Sequence, residues 1–159
     1  MKYSPDPWDP VSHPAFWINQ ISRMLVRDFE AQLRPLGFGM AYLPVVSALA
    51  EYGPLQQKQL VEMIGVEQPT MAALLARMER DGVVERTPHP TDKRSSRFDL
   101  VAAARKRVPQ ARRALAQTAE QALTGLKPGE RDALLGLLRR VAANLGDVPD
   151  RFPAPPGGA

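Results

Sequence analysis

The residues best equipped for chemistry in this chain are hydrogen-bonding and cationic rather than nucleophilic. Gln68, Thr70, Arg77 and Arg80 fall in one short stretch, and Arg86, Asp92, Lys93, Arg94 and Arg97 fall in the next. Gln and Arg carry paired groups that match adenine and guanine edges, and an alanine such as Ala73 offers a methyl to thymine. Arg and Lys also neutralise phosphates. Other chemistries are poorly supplied. The absence of cysteine excludes disulfides, thiolate metal sites, cysteine nucleophiles and thiol redox sensing. The two histidines, His13 and His89, stand far apart in the chain, and no GxGxxG, P-loop, GxSxG or HExxH pattern occurs. The sequence argues against an enzyme, and it predicts neither a metal nor a bound cofactor.

The charge distribution points the same way. Residues 77–107 carry 9 Lys/Arg against 5 Asp/Glu, whereas residues 1–76 carry 5 against 7 and residues 108–159 carry 7 against 5. The net charge of +4 is therefore concentrated in the middle of the chain, as a footprint for phosphates or as a solvated basic face. A length of 159 residues suits one compact unit with extensions, and 44% hydrophobic with 24% charged residues allows a packed core. No apolar run of about 18 residues and no signal-peptide pattern is present, which predicts a cytoplasmic protein with no membrane partner.

These groups must be held by the elements around them. Residues 1–12 and 147–159 are dense in Pro and Gly and read as an N-terminal arm and a flexible C-terminal tail. Between them, residues 13–146 read as a single unit. Ile18, Ile21, Leu25, Phe29 and Leu33 recur at spacings of three and four, predicting an amphipathic helix over 13–34. A shorter helix runs from Tyr42 to Tyr52 with Val45, Val46 and Leu49 inward, and Pro44 lies in its first turn. A third helix over 55–64 ends at Gly65, and a fourth over 68–81 carries Met71, Leu74, Leu75 and Met78 inward before Gly82. Residues 83–86 and 96–100 are β-type runs joined by a polar, basic loop with Lys93 and Arg94 at its tip. Val108, Ala111, Leu115, Ala119 and Leu123 form a stripe over 101–124, where Pro109 predicts a kink or a late start. A last helix to about 145 turns Leu134, Leu135, Leu138, Val141 and Leu145 inward.

The series helix, turn, helix, hairpin over residues 40–100 is a winged helix-turn-helix, in a fold that is mainly α with a small β-hairpin wing. An α-helix fits the major groove of DNA and a thin basic hairpin reaches the minor groove. On this reading the helix over 68–81 presents Gln68, Thr70, Ala73, Arg77 and Arg80 outward, either to bases and phosphates or to solvent. A winged-helix module that binds protein is the alternative. The smooth Ala72-Ala73 face favours it, and Lys93, Arg94 and Arg97 together weigh against it.

Leu60-Val-Glu-Met-Ile-Gly-Val66, Gln68-Pro-Thr-Met71, Leu74-Leu-Ala-Arg-Met-Glu-Arg-Asp-Gly-Val-Val-Glu-Arg86 and Asp92-Lys-Arg-Ser95 resemble the multiple-antibiotic-resistance regulator (MarR) family. The resemblance extends through the helix order over residues 13–145. It implies a homodimer interlocked through helices 13–34 and 101–145, binding a pseudo-palindromic operator on double-stranded DNA, usually as a repressor released by a small aromatic or phenolic effector. It further implies that Arg94 enters the minor groove, that Asp92 orients Arg94, and that Gln68, Thr70 and Arg77 lie over the major groove or its phosphates. The effector cleft it implies lies between the first two helices and the dimer helix, where Trp17, Met24, Met40 and Tyr42 are the candidates. His13 either caps the first helix or hydrogen-bonds a ligand acid. The chain departs from the family pattern at Ala72-Ala73, at Leu100-Val-Ala-Ala-Ala104 and at Glu67, a weak helix cap that faces phosphates unfavourably. Dimerisation has a separate argument, because the stripes of the long outer helices would stay uncovered on a lone lobe.

Overall fold

The computed structural model describes residues 9–88, 91 and 96–146. A short 3-10 turn at Pro10–Ser12 leads into α1, Pro14–Leu33. His13 caps α1, its Nδ1 accepting from the Ala15 N–H at 3.2 Å, and Pro14 costs nothing in a first turn that lacks an acceptor for its N–H. Two further 3-10 turns, Arg34–Leu36 and Met40–Tyr42, carry the chain around Gly37, whose φ of 75° a side chain would resist. Then come α2 (Leu43–Tyr52), β1 (Leu55–Gln56), α3 (Gln57–Ile64) and α4 (Gln68–Arg80). They are followed by β2 (Val84–Pro88), β3 (Ser96–Leu100), α5 (Ala102–Ala122) and α6 (Pro128–Leu145).

The wing contains one strand more than a hairpin. β1 pairs antiparallel with β3, Leu55 opposite Phe98 and Gln56 opposite Arg97, so the sheet order is β1-β3-β2. A reading of residues 55–64 as continuous helix is thus corrected at its start. Leu55 and Phe98 are both buried beneath the sheet, and α3 begins only at Gln57, after the Gln56 N–H has bonded the Gln59 side chain at 2.9 Å.

The core lies under this sheet. Phe98, Leu100, Val83 and Val84 meet Met71, Leu75 and Met78 of α4, Leu60 of α3 and Val45, Val46, Ala48 and Leu49 of α2. Leu33 closes it from α1, and Ala104, Val108 and Ala111 close it from α5. α5 runs through Pro109 without a late start. Pro109 is exposed, so its missing N–H and the carbonyl it frees lie on the solvent side.

The inward stripe assigned to the last helix is not observed in this chain. α6 has no buried residue, and Leu134, Leu135, Leu138, Val141 and Leu145 are 38–87% exposed. The outer face of α1 is similar, with Trp17, Ile18, Ile21 and Met24 exposed. Periodicity identified the apolar faces correctly, but within this chain no element buries the leucine face of α6. Among the described residues no single helix is long and apolar enough to cross a membrane, and no cluster of three metal-ligating side chains occurs.

Candidate nucleic-acid interface

α3 and α4 are joined by a turn made possible by Gly65, which ends α3 at φ 74° in the left-handed region. α4 then starts at Gln68 with Glu67 as its cap, and the Glu67 carboxylate makes no capping bond. Met71, Leu75 and Met78 are buried, which fixes the helix rotation and turns Gln68, Thr70, Ala73, Arg77 and Arg80 outward. All five are exposed, as are Pro69, Ala72 and Ala76 between them.

Much of the polar equipment on this face is already engaged. Gln57 Nε2 donates to Gln68 Oε1 at 3.0 Å. The Arg77 guanidinium lies 5.3 Å from the centre of the Tyr42 ring, and Arg80 Nε donates to Asp81 at 3.1 Å. On β2, Arg86 stacks 4.9 Å over Phe98 and pairs with Glu79 at 3.8 Å. Arg97 is half-buried on β3, opposite Thr87 and Gln56. Asp92, Lys93 and Arg94, like His89, lie outside the described residues.

The end of α4 is tied to the start of α2. The Tyr42 hydroxyl donates to Asp81 at 2.5 Å. That bond is the main reason the Asp81 carboxyl titrates below its ordinary range, with Arg80 and Arg77 adding to it. Burial, and then the bond to Asp81, pushes the Tyr42 phenol up. Sequence reasoning missed this tie, since residues 42 and 81 are far apart in the chain and neither belongs to a motif. Asp99 likewise pairs with Arg105, which also donates to the Leu49 carbonyl at 3.4 Å and joins β3, α5 and α2.

A cavity of about 450 Å³ opens beside this tie. Its walls come from Glu30 of α1, from Arg34 just beyond it, from residues 37–39, Ala41 and Tyr42, and from Arg77 and Asp81. Of the residues considered for an effector cleft, Tyr42 alone lines it. Met40 is half-buried nearby, its N–H donating to Glu30 at 3.0 Å. Trp17 and Met24 sit on the exposed face of α1, and the Trp17 indole donates to the Val11 carbonyl at 2.8 Å. His13 is occupied as the α1 cap. The α1–α2 junction needs a tight reversal at residues 37–39, and that reversal creates the cavity at the other end of α1 from Trp17.

A helix-turn-helix with an exposed second helix, followed at once by a basic antiparallel wing, defines the winged helix-turn-helix class. Over residues 42–96 the chain matches the model of the MarR family. It is 28% identical over 127 residues, 80% of its length and 92% of the relative's, to an uncharacterised HTH-type transcriptional regulator, YwoH, of Bacillus subtilis strain 168. Among solved structures it resembles the transcriptional repressor CouR bound to a 23-mer DNA duplex, at 24% identity and TM-score 0.70, covering 88% of this chain and 99% of that one. It also resembles BpsR of Bordetella bronchiseptica, described in terms of regulation of DNA binding by 6-hydroxynicotinic acid. That match has 21% identity and TM-score 0.64, with coverage of 80% and 97%.

Proposed function

We propose that this protein binds a pseudo-palindromic operator as a homodimer and acts as a ligand-responsive repressor in the cytoplasm. α4 enters the major groove and the wing, residues 87–96, follows the adjacent minor groove. The observation that carries this reading is the outward face of α4, which holds Gln68, Thr70, Arg77 and Arg80 beside a strand bearing Arg86. CouR, of the same fold, is seen on duplex DNA. In a two-fold dimer the two α4 helices lie about one helical turn of DNA apart, roughly 34 Å. The exposed apolar faces of α1 and α6 supply the surface for that dimer.

Lys93 and Arg94 at the wing tip neutralise phosphates or enter the minor groove, with Asp92 orienting Arg94, and Arg97 supports the wing from β3. The effector is a small aromatic or phenolic molecule. The regulation of BpsR by 6-hydroxynicotinic acid supports an effector of this kind, and the cavity lined by Tyr42, Arg77 and Asp81 at the C-terminal end of α4 supports a site for it there. The catalytic patterns absent from the sequence and the regulators among the relatives both weigh against an enzyme.

Fluorescence anisotropy with duplex from the gene's own upstream region, against a scrambled duplex and across a salt series, tests the reading. Tight, sequence-dependent binding at one dimer per site is expected. Arg94→Ala, present in both lobes, weakens binding to every duplex and flattens the salt slope by about 0.9 for each phosphate no longer neutralised. Weak binding, equal on both duplexes and gone by about 0.2 M salt, reflects nonspecific attraction alone and shifts the reading to a winged-helix module that docks protein on the Ala72-Ala73 face.

A further inference from the structure

The outward face of α4 is chemically uneven. Its middle carries Ala72, Ala73 and Ala76, none with a side-chain donor or acceptor, and its first turn carries Gln68, Pro69 and Thr70. Toward its C-terminal end, Arg77 lies over Tyr42 and Arg80 is bonded to Asp81. Of the two polar side chains in that first turn only the Gln68 carboxamide carries a donor and an acceptor on separate atoms, and a residue outside α4 holds it. Gln57, half-buried at the start of α3, donates through Nε2 to Gln68 Oε1 at 3.0 Å and reaches the Gln68 carbonyl at 3.5 Å.

The two contacts together set the polarity of the Gln68 amide, because a Gln57 turned the other way would hold its Oε1 against the Gln68 carbonyl, acceptor to acceptor. Turning the carboxamide over would set its NH2 against the NH2 of Gln57, donor to donor. Held as it is, Gln68 keeps one lone pair on Oε1 and both hydrogens of Nε2 for a ligand. That is one acceptor beside one donor, the complement of the N6 amino group and N7 of adenine. Guanine would set its O6 acceptor against Oε1. We propose that Gln57 is a positioning residue that presets Gln68 to read an adenine at one symmetry-related position in each half-site. The proposal rests on the DNA-binding reading above and adds to it the base that is read and the residue that fixes the reader.

The test is selection from a random duplex pool by the wild type, Gln57→Ala, Gln57→Glu, Gln68→Ala and the Gln57→Ala/Gln68→Ala double variant, with anisotropy on the selected duplexes. The wild type is expected to enrich adenine at one position per half-site. Each single variant should lose that preference by roughly 5- to 150-fold, and the double variant by no more than Gln68→Ala alone. Preferences at other positions and the salt slope should stay unchanged, which a merely structural role would not predict. Gln57→Glu, near in size but unable to donate to Oε1, should lose the same preference while weakening all duplexes alike. Replacing the selected adenine by 7-deaza-adenine should weaken the wild type and not Gln68→Ala. Retention of the preference by both Gln57 variants overturns the proposal, as does enrichment of guanine at the Gln68-dependent position or a selected site that ignores Gln68, and in these cases DNA binding stands. A wild-type pool with nothing enriched overturns both.

Discussion

On the homodimer proposed above, Leu135→Ala is expected to weaken self-association without unfolding the winged lobe. Leu135 sits on α6, which has no buried residue in the protomer, and half of its surface, 50%, is open. Burying a whole leucine side chain contributes about 1.5–3 kcal/mol, so covering the open half contributes about half of that. A two-fold interface uses the residue twice, once from each protomer. The substitution should therefore cost the dimer about 1.5–3 kcal/mol, a rise in dissociation constant of roughly 10- to 150-fold. Sedimentation equilibrium over a concentration series reads this directly, and far-UV circular dichroism at high concentration checks that the helices persist. A wild type that stays monomeric at micromolar concentration would refute the reasoning, because α6 would then carry an uncovered apolar face for no gain. A Leu135→Ala constant within twofold of the wild type would place the partner on another face.

Phe98→Ala should cost about 3–5 kcal/mol in urea unfolding, since Phe98 is 2% exposed, faces Leu55 across the sheet and lies under Arg86. An effect below about 1 kcal/mol would mean that the sheet collapses readily into the space. Gly65→Ala should cost about 1–2 kcal/mol, seen as a lower Tm, for its left-handed φ of 74° alone, because nothing lies within 4 Å of the added carbon. Tyr42→Phe should flatten the pH dependence of stability at both ends. The lowered Asp81 carboxyl contributes above its ordinary value and loses that contribution as pH falls through its folded value. The raised Tyr42 phenol contributes below its ordinary value and loses that contribution as pH rises through its folded value. Urea midpoints across pH that superimpose for wild type and variant would count against the bond.

The elements were legible where one face of a helix meets the core of the same lobe. Val45, Val46 and Leu49 on α2 and Met71, Leu75 and Met78 on α4 are buried as their spacing predicts, because three- and fourfold recurrence reports a buried face directly. The same rule placed Leu134, Leu135 and Leu138 inward on α6, where they are exposed. Periodicity states which face is apolar and is silent on whether its partner belongs to the same chain. β1 escaped notice because two residues are too short for alternation to register. Its pairing depends on Phe98, some forty residues away. The candidate site divides in the same way. Exposure of Gln68, Thr70, Ala73, Arg77 and Arg80 follows from helix rotation alone, whereas Gln57 against Gln68 and Tyr42 against Arg77 and Asp81 are meetings between elements that no local pattern encodes.

Those meetings bear on how α4 would bind. At its first residue the helix is held by Gln57, and just past its last by the Tyr42 hydroxyl on Asp81, so both ends are fixed to other elements before any ligand arrives. Between them the middle of the face is Ala72, Ala73 and Ala76, which have almost no side-chain freedom to lose, and the long side chains of Arg77 and Arg80 are engaged by Tyr42 and Asp81. Ordering rotamer-rich side chains at an interface costs about 0.5–1.5 kcal/mol each, and a face built from Pro69, Ala72, Ala73 and Ala76 avoids most of that cost. The same composition limits the hydrogen bonds the helix can make, so discrimination rests on a few well-held groups rather than on many adaptable ones. The tie at Asp81 also forms one wall of the cavity beside α1. A molecule that entered there would lie against Tyr42 and Asp81, the pair that ties the end of α4 to the start of α2.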